Sequence, residues 1–175
     1  MADMEPEVFK RLMAGVPAPV TIVTALTDGK AHGATVSSFA SLSLDPPLIS
    51  IALIEGSGLL GQIRASGRFG VNLLGYRQTD LALIFASKSV DRFAGVPWHL
   101  ERGLPRFPGC ASFAACDVHE EVKGGDHALL FGRVTYAHSS DEPPLVYTAR
   151  QFGTHSKLIE DRSHTIGDVI VACAS

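Results

Sequence analysis

Three cysteines, a shortage of positive charge and the lack of any long apolar run limit what this 175-residue chain can be. Cys110, Cys116 and Cys173 have neither metal-ligand spacing nor the makings of a disulfide framework. The six-residue step between the first two fits no usual zinc pair, so the expectation is no metal and reduced thiols in a cytoplasmic compartment. The 15 Lys and Arg fall short of the 18 Asp and Glu, giving a formal net charge of −3, and no basic stripe gathers, which argues against a nucleic-acid partner. No window approaches the roughly 18 uninterrupted apolar residues of a spanning helix, so no membrane partner is expected. The opening MADMEPEVFKRLMAGV carries acids where a signal peptide needs basic residues, so no leader is expected there. Internal repeats and low-complexity tracts are also lacking. What is present is globular: 46% hydrophobic and 19% charged residues, read as one domain over 1–175 with a core of about 12–153 and a tail of 154–175.

Hydrophobic spacing predicts a short amphipathic helix over 5–15, stopped by Gly15 and the prolines at 17 and 19. PVTIVTAL (19–26) is β-branched and ends at Thr27-Asp28-Gly29, a hairpin signal with a return strand through Ala31 to Val36. LISIALI (48–54) reads as a buried strand, Leu59–Ala65 as a short helix ending near Gly67, RFGVNLL (68–74) as a strand and Thr79–Phe85 as a helix. Residues 87–110 lack periodicity and read as a long loop. Strands are expected at 112–122, 127–138 and 144–150, with a polar tail ending in the apolar DVIVACA. Six or seven strands with short helices predict a mainly β fold, a closed or Greek-key barrel.

GSGLLG (56–61) matches G-x-G-x-x-G after a strand and before a helix, the pattern of a dinucleotide fold. The helix that comes next is too short for a crossover, the next strand ends in Gly75-Tyr76 where a ribose-binding acid belongs, and strand–helix alternation is missing elsewhere. A doubly wound fold is therefore rejected. The local physics survives: Gly56 and Ser57 lead into a helix N-terminus, which is either an anion site or an ordinary cap. His119-Glu120-Glu121 reads as a solvated strand face, not a metal or acid–base site.

GATVSSFASLSLDPP (33–47) places Thr35, Ser37, Ser38, Ser41 and Ser43 among apolar residues. Buried hydroxyls need acceptors, which neighbouring backbone can supply; five within nine residues favour a ligand rich in acceptors. Ser41 and Ser43 also suit a half-exposed strand.

The stretch GATVSSFASLSLDPPLISIAL resembles the signature of the flavin reductase-like family, whose fold is the FMN-binding split barrel. The resemblance continues through RFGVNLL, Gln78, Phe85-Ala86, Phe93 with Trp98, FAACDVHEEVKGGDHALLFGRV and PPLVYTARQFG, covering roughly 12–153. It implies a short-chain reductase passing hydride from NADH or NADPH to FAD or FMN and supplying reduced flavin to a partner monooxygenase. It also implies a homodimer with the flavin near the subunit interface. In that reading Thr35, Ser37, Ser38 and Ser41 face the flavin, Ala52 and Leu53 bring backbone alongside, and Gly56 and Ser57 meet the phosphate. Phe69 lies near the pocket, His127 faces nicotinamide and flavin, and Arg150 and Phe152 border the nicotinamide or the flavin tail. Leu59 departs from the family, whose members often carry a hydroxyl there. The other readings are a flavin-binding split barrel without reductase activity and a flavin oxidase like the pyridoxamine phosphate oxidases.

Overall fold

The structure, a computed structural model, describes residues 4–89 and 91–155. Helix α1 (Pro6–Ala14) is followed by strands β1 (Ala18–Pro19), β2 (Thr21–Thr27), β3 (Lys30–Val36), β4 (Ala40–Leu44) and β5 (Pro47–Ile54). Helix α2 (Gly58–Ser66), β6 (Arg68–Leu73) and α3 (Thr79–Ala86) come next. The chain continues through β7 (His99–Glu101), β8 (Leu104–Arg106), β9 (Ser112–Gly124), β10 (His127–Ser139), β11 (Val146–Thr148) and β12 (Gln151–Gly153).

Seven strands form one antiparallel sheet in the order β3-β2-β6-β9-β10-β5-β4. The β2–β3 hairpin is dictated by its turn: Asp28 (φ 52°) and Gly29 (φ 73°) supply the two positive-φ residues of a two-residue loop pairing Thr27 with Lys30. β3 and β4 are consecutive in sequence yet stand at opposite ends of the sheet order. Their ladders do not join, so the sheet curls without closing. The closed alternative is thereby corrected: the barrel is split, and the chain crosses the split at Ser37-Ser38-Phe39.

β2 is apolar on both faces because it is buried on both. Val23 and Ala25 join the barrel core with Ile51, Leu53, Leu60, Ile63, Phe69, Val71 and Leu130. Val20 and Ile22 pack on the other side under α3, with Leu74, Phe85, Phe107 and Leu145. The fully buried Thr21, Thr24 and Asn72 of this layer find backbone partners, while the Thr27 hydroxyl at the end of β2 has none among the described residues. Thr21 Oγ1 donates to Val36 O (2.6 Å), Thr24 Oγ1 to Pro105 O (2.8 Å) and Asn72 Nδ2 to Ile22 O (3.2 Å).

Three elements differ from the sequence expectation. The stretch 87–110 contains the β7–β8 hairpin, turned by Arg102 (φ 53°) and Gly103 (φ 78°). Its three-residue strands are too short to show alternation. The strand expected over 144–150 breaks after Thr148, because Ala149 (φ 49°) and Arg150 (φ 62°) turn the chain into β12. Neither residue type announces a left-handed turn. On β9 the register shifts at His119, with Glu120 opposite Phe131 and Val118 opposite Gly132, so His119 is the extra residue of a bulge. The DVIVACA segment and Cys173 lie outside the described residues.

The bulge brings Gly132 against the ring of Phe69: a Cβ there would stand 2.3 Å from Phe69 Cζ and 3.1 Å from Cys116 Cβ. Neither the buried ring nor the strand carrying Cys116 can retreat. Gly132→Ala is expected to destabilise by at least about 2 kcal/mol in urea unfolding, while Gly58→Ala, where a Cβ meets nothing, stays within about 0.5 kcal/mol.

Candidate functional site

A cavity lies at the split in the barrel. It has a volume of about 350 Å³ and takes its walls from β3, β5, the start of α2 and the start of β10. Ala34, Thr35, Val36, Ser37 and Ser38 come from the β3 side, and Ala52, Leu53 and Ile54 from β5. Ser57, Leu59 and His127 complete it.

Ser38 holds this wall in place. β5 pairs with β4 at Ser50, opposite Ala40, but β4 begins there, so the outward backbone groups of Ala52 have no strand to bond. The Ser38 hydroxyl takes that place: it donates to Ala52 O (3.0 Å) and accepts from Ala52 N (2.8 Å). One side chain thus does for Ala52 what a paired residue would do, and spans the split. Thr35 is also committed to the fold, its Oγ1 donating to Ala82 O (2.7 Å) and tying β3 to α3. Ser37 lines the cavity and its hydroxyl makes no hydrogen bond within the described residues.

Past Ile54 the chain turns through Gly56 (φ 78°) into α2, with Ser57 N donating to Ile54 O (3.1 Å). Ser57 is the N-cap, its Oγ accepting from Leu60 N (3.2 Å). The amides of Gly58 and Leu59 have no acceptor within the helix and carry the positive end of its dipole. Leu59, 7% exposed, floors the cavity with Leu53.

His127 opens β10 directly beside Ile54. Its Nδ1 lies 2.7 Å from Asp126 Oδ1. That hydrogen bond holds the Asp126 carboxyl below the usual carboxylate range, so at neutral pH the acid only accepts. Nδ1 therefore carries the hydrogen, and Nε2 is the ring nitrogen left free.

A second cavity of about 280 Å³ adjoins the first, sharing Thr35 and Ser37. Val20, Leu83, Ala86, Tyr147 and Phe152 make its apolar walls. The rings of Tyr147 and Phe152 meet at 4.9 Å, paired across β11 and β12.

The structure thus gathers Thr35, Ser37, Ser38, Ala52, Leu53, Ser57 and His127 at one cavity, and Phe152 at the next. Four other candidates stand elsewhere. Phe69 is fully buried in the barrel core, where its ring fills the space left by Gly132. Ser41 sits on the exposed strand β4 opposite Ile49. Gly56 shapes the turn without lining the cavity, and Arg150 occupies the β11–β12 turn. Sequence reasoning missed Val20, which is itself core, and Leu83, Ala86 and Tyr147, whose apolar character reads as core until the topology sets them at the surface. Among the described residues no cluster of His, Cys, Asp and Glu could hold a metal ion.

Comparison with known proteins points the same way. Residues 13–156 match the family described as flavin reductase like domain. An actinorhodin polyketide dimerase of Streptomyces coelicolor is 40% identical over 143 residues, 80% of this chain and 81% of that protein. The reductase subunit of a flavin-dependent monooxygenase of Mycobacterium tuberculosis is 36% identical over 146 residues, 83% of this chain and 76% of that one. An NADH:FAD oxidoreductase of Streptomyces globisporus, solved with NAD and FAD fragments, superposes with a TM-score of 0.83 at 29% identity, covering 90% of this chain and 97% of that one.

The two neighbouring serines separate by experiment. Ser38→Ala strips Ala52 of both partners and is expected to destabilise the fold by about 1–3 kcal/mol, whereas Ser37→Ala stays within about 0.5 kcal/mol in urea unfolding. Equal stabilities would show that the Ser38–Ala52 pair does not hold the split.

Proposed function

The chain belongs to the flavin reductase-like family, and from that premise we propose that it is an NAD(P)H:flavin oxidoreductase. It passes hydride from NADH or NADPH to FAD or FMN and supplies reduced flavin to a monooxygenase. The observation that carries this reading is the cavity at the barrel's split, where an apolar floor, a free serine hydroxyl, a helix N-terminus and a tautomer-fixed histidine converge.

This donor set fits a flavin. Leu53, Leu59 and Val36 offer an apolar surface to a planar ring, Ser37 offers a hydroxyl to its polar edge, and the start of α2 offers amides to a phosphate. When bound, the flavin supplies the hydride chemistry; the protein's share is binding, orientation and electrostatics. Reacting atoms must be held within about 3–3.5 Å, so the residues that count here are those that fix position. Ser38 and Thr35 keep the wall rigid. His127 orients the nicotinamide, its free Nε2 serving the polar end of that ring, and Phe152 borders it from the adjoining cavity. No general acid–base pair is needed for the transfer itself.

The partner monooxygenase is supported by relatives that are the reductase components of such systems. The chain acts as a homodimer in this reading, supported by exposed apolar residues: Leu42 and Leu44 on the edge strand β4, Ile54 at the cavity, Val122 on β9, and Val8, Phe9, Leu12 and Met13 of α1. Residues 1–175 form one domain, supported by the single matched span of 13–156. No helix among the described residues is long and apolar enough to cross a membrane. The cytoplasm, with its pool of reduced nicotinamide, is the compartment this activity calls for.

Absorbance at 340 nm with each flavin and each nicotinamide tests the assignment: flavin-dependent loss of NADH or NADPH is expected, and none with all four pairings would overturn it. His127→Ala is expected to raise the KM for the nicotinamide or slow flavin reduction, with flavin affinity unchanged within about twofold. Unchanged kinetics would remove His127 from the site.

A further inference from the structure

Arg64, in the last turn of α2, points its side chain back past the helix start. Its Nη2 donates to both Glu55 oxygens (3.1 and 3.2 Å). Its Nε donates to both Glu121 oxygens (3.2 and 3.1 Å), and Nη2 also reaches Glu121 Oε1. One guanidinium therefore ties the turn before α2 to strand β9, which pairs with β10 beside it. Glu55 is tied on its other side as well, its N–H donating to Asp126 O at 2.9 Å, one residue before His127.

The position of Glu55 is what makes this fork informative. It stands two residues before the N-cap Ser57, on the turn into the helix start, where Ser57 and Leu59 line the cavity. A carboxylate there repels any anion at those amides and opposes the helix dipole's attraction for it. The fork holds both Glu55 oxygens on the guanidinium and reduces two negative charges to a net of one. A cation in the last turn complements the helix dipole only if its charge stays at that end; the Arg64 guanidinium instead reaches two acids from separate segments.

Resting on the flavin reading, we propose that Arg64 is a positioning residue for the phosphate end of the bound flavin. It holds the Glu55 carboxylate off the start of α2 and offsets part of its charge, so that a phosphorylated flavin, FMN or FAD, binds in preference to riboflavin. The side chain touches no reacting atom; it acts through the Glu55–Ser57 turn. All three groups are part-exposed, with side-chain exposures of 43% for Arg64, 40% for Glu55 and 31% for Glu121, so solvent screening keeps the effect moderate.

The test measures flavin fluorescence quenching on the full chain at low salt, with FMN and with riboflavin, which has the same ring and no phosphate. Arg64→Met is expected to weaken FMN binding roughly 3- to 10-fold and to leave riboflavin within about twofold. Adding Glu55→Gln to Arg64→Met should return most of the lost FMN affinity, and Arg64→Lys, which keeps charge without the fork, should fall between wild type and Arg64→Met. Parallel losses for both ligands would make Arg64 merely structural and overturn the proposal. So would no loss at all, or a wild-type protein that binds FMN no more tightly than riboflavin. The family reading fails separately: a wild type that prefers FMN but oxidises neither NADH nor NADPH would overturn the reductase activity and leave the role of Arg64 standing.

Discussion

The fold depends on the satisfaction of one peptide, that of Ala52. A curled sheet that does not close must end somewhere, and where it ends its outward N–H and C=O groups lose their partners. β5 is covered by β4 only as far as Ser50, and two residues on the Ser38 hydroxyl takes both roles, donor to Ala52 O and acceptor from Ala52 N. This side-chain substitute for a strand lets the barrel stay open at that point without leaving a half-buried peptide unpaired. It also fixes the distance between the two edges, and with it the width of the cavity. A longer β4 would have satisfied the same groups and filled the site.

The surplus of hydroxyls in residues 33–47 resolves into a division of labour. Thr35 is used by α3, and Ser38 by β5. Thr21 and Thr24 on β2 are used in the same way, by the carbonyls of Val36 and Pro105. Ser37 remains, between two walls that its neighbours have made rigid. The choice first posed by the sequence, backbone partners or a ligand, was too coarse, because both apply to adjacent residues. A free hydroxyl is useful to a ligand only if it does not have to be ordered on binding, and Thr35 and Ser38 on either side remove that entropy in advance.

Features set by local chemistry were legible in the sequence. The β2–β3 hairpin could be read because Asp28-Gly29 demands its turn, and α2 because Ser57 and Gly67 mark its two ends, Gly67 at φ 68°. The strands of the core could be read from β-branched apolar runs. The β7–β8 hairpin and the break at Ala149-Arg150 could not, since their positive-φ residues include arginine and alanine, held there by the fold and not by their own preference. Phe69 shows the same limit for the site: its place in a family pattern put it near the pocket, but whether an aromatic ring faces ligand or core is decided by what stands across from it, here Gly132. The resemblance and the composition together pointed to the cavity's hydroxyl wall; the apolar second cavity, with Tyr147 and Leu83, required the topology that joins β11 to α3 across Thr35.

The absence of a catalytic signature is itself a consequence of the chemistry. A reaction carried by two cofactors asks the protein for placement, and placement can be supplied by groups that every chain possesses: amides at a helix start, a carbonyl at a strand end, small hydroxyls. Such groups lie unpaired only at the boundaries of regular structure. A split barrel concentrates those boundaries, since the start of α2, the end of β5, the beginning of β10 and the free edge of β3 all meet at one opening. The orphan groups that stability would prefer to cap are the ones a ligand can use. The chain caps Ala52 through Ser38 and leaves the amides of Gly58 and Leu59 without an acceptor in the helix, which is where the proposed function puts the phosphate. The Arg64 fork belongs to the same logic, because an open anion site built on a turn that also carries Glu55 works only if the carboxylate is engaged elsewhere.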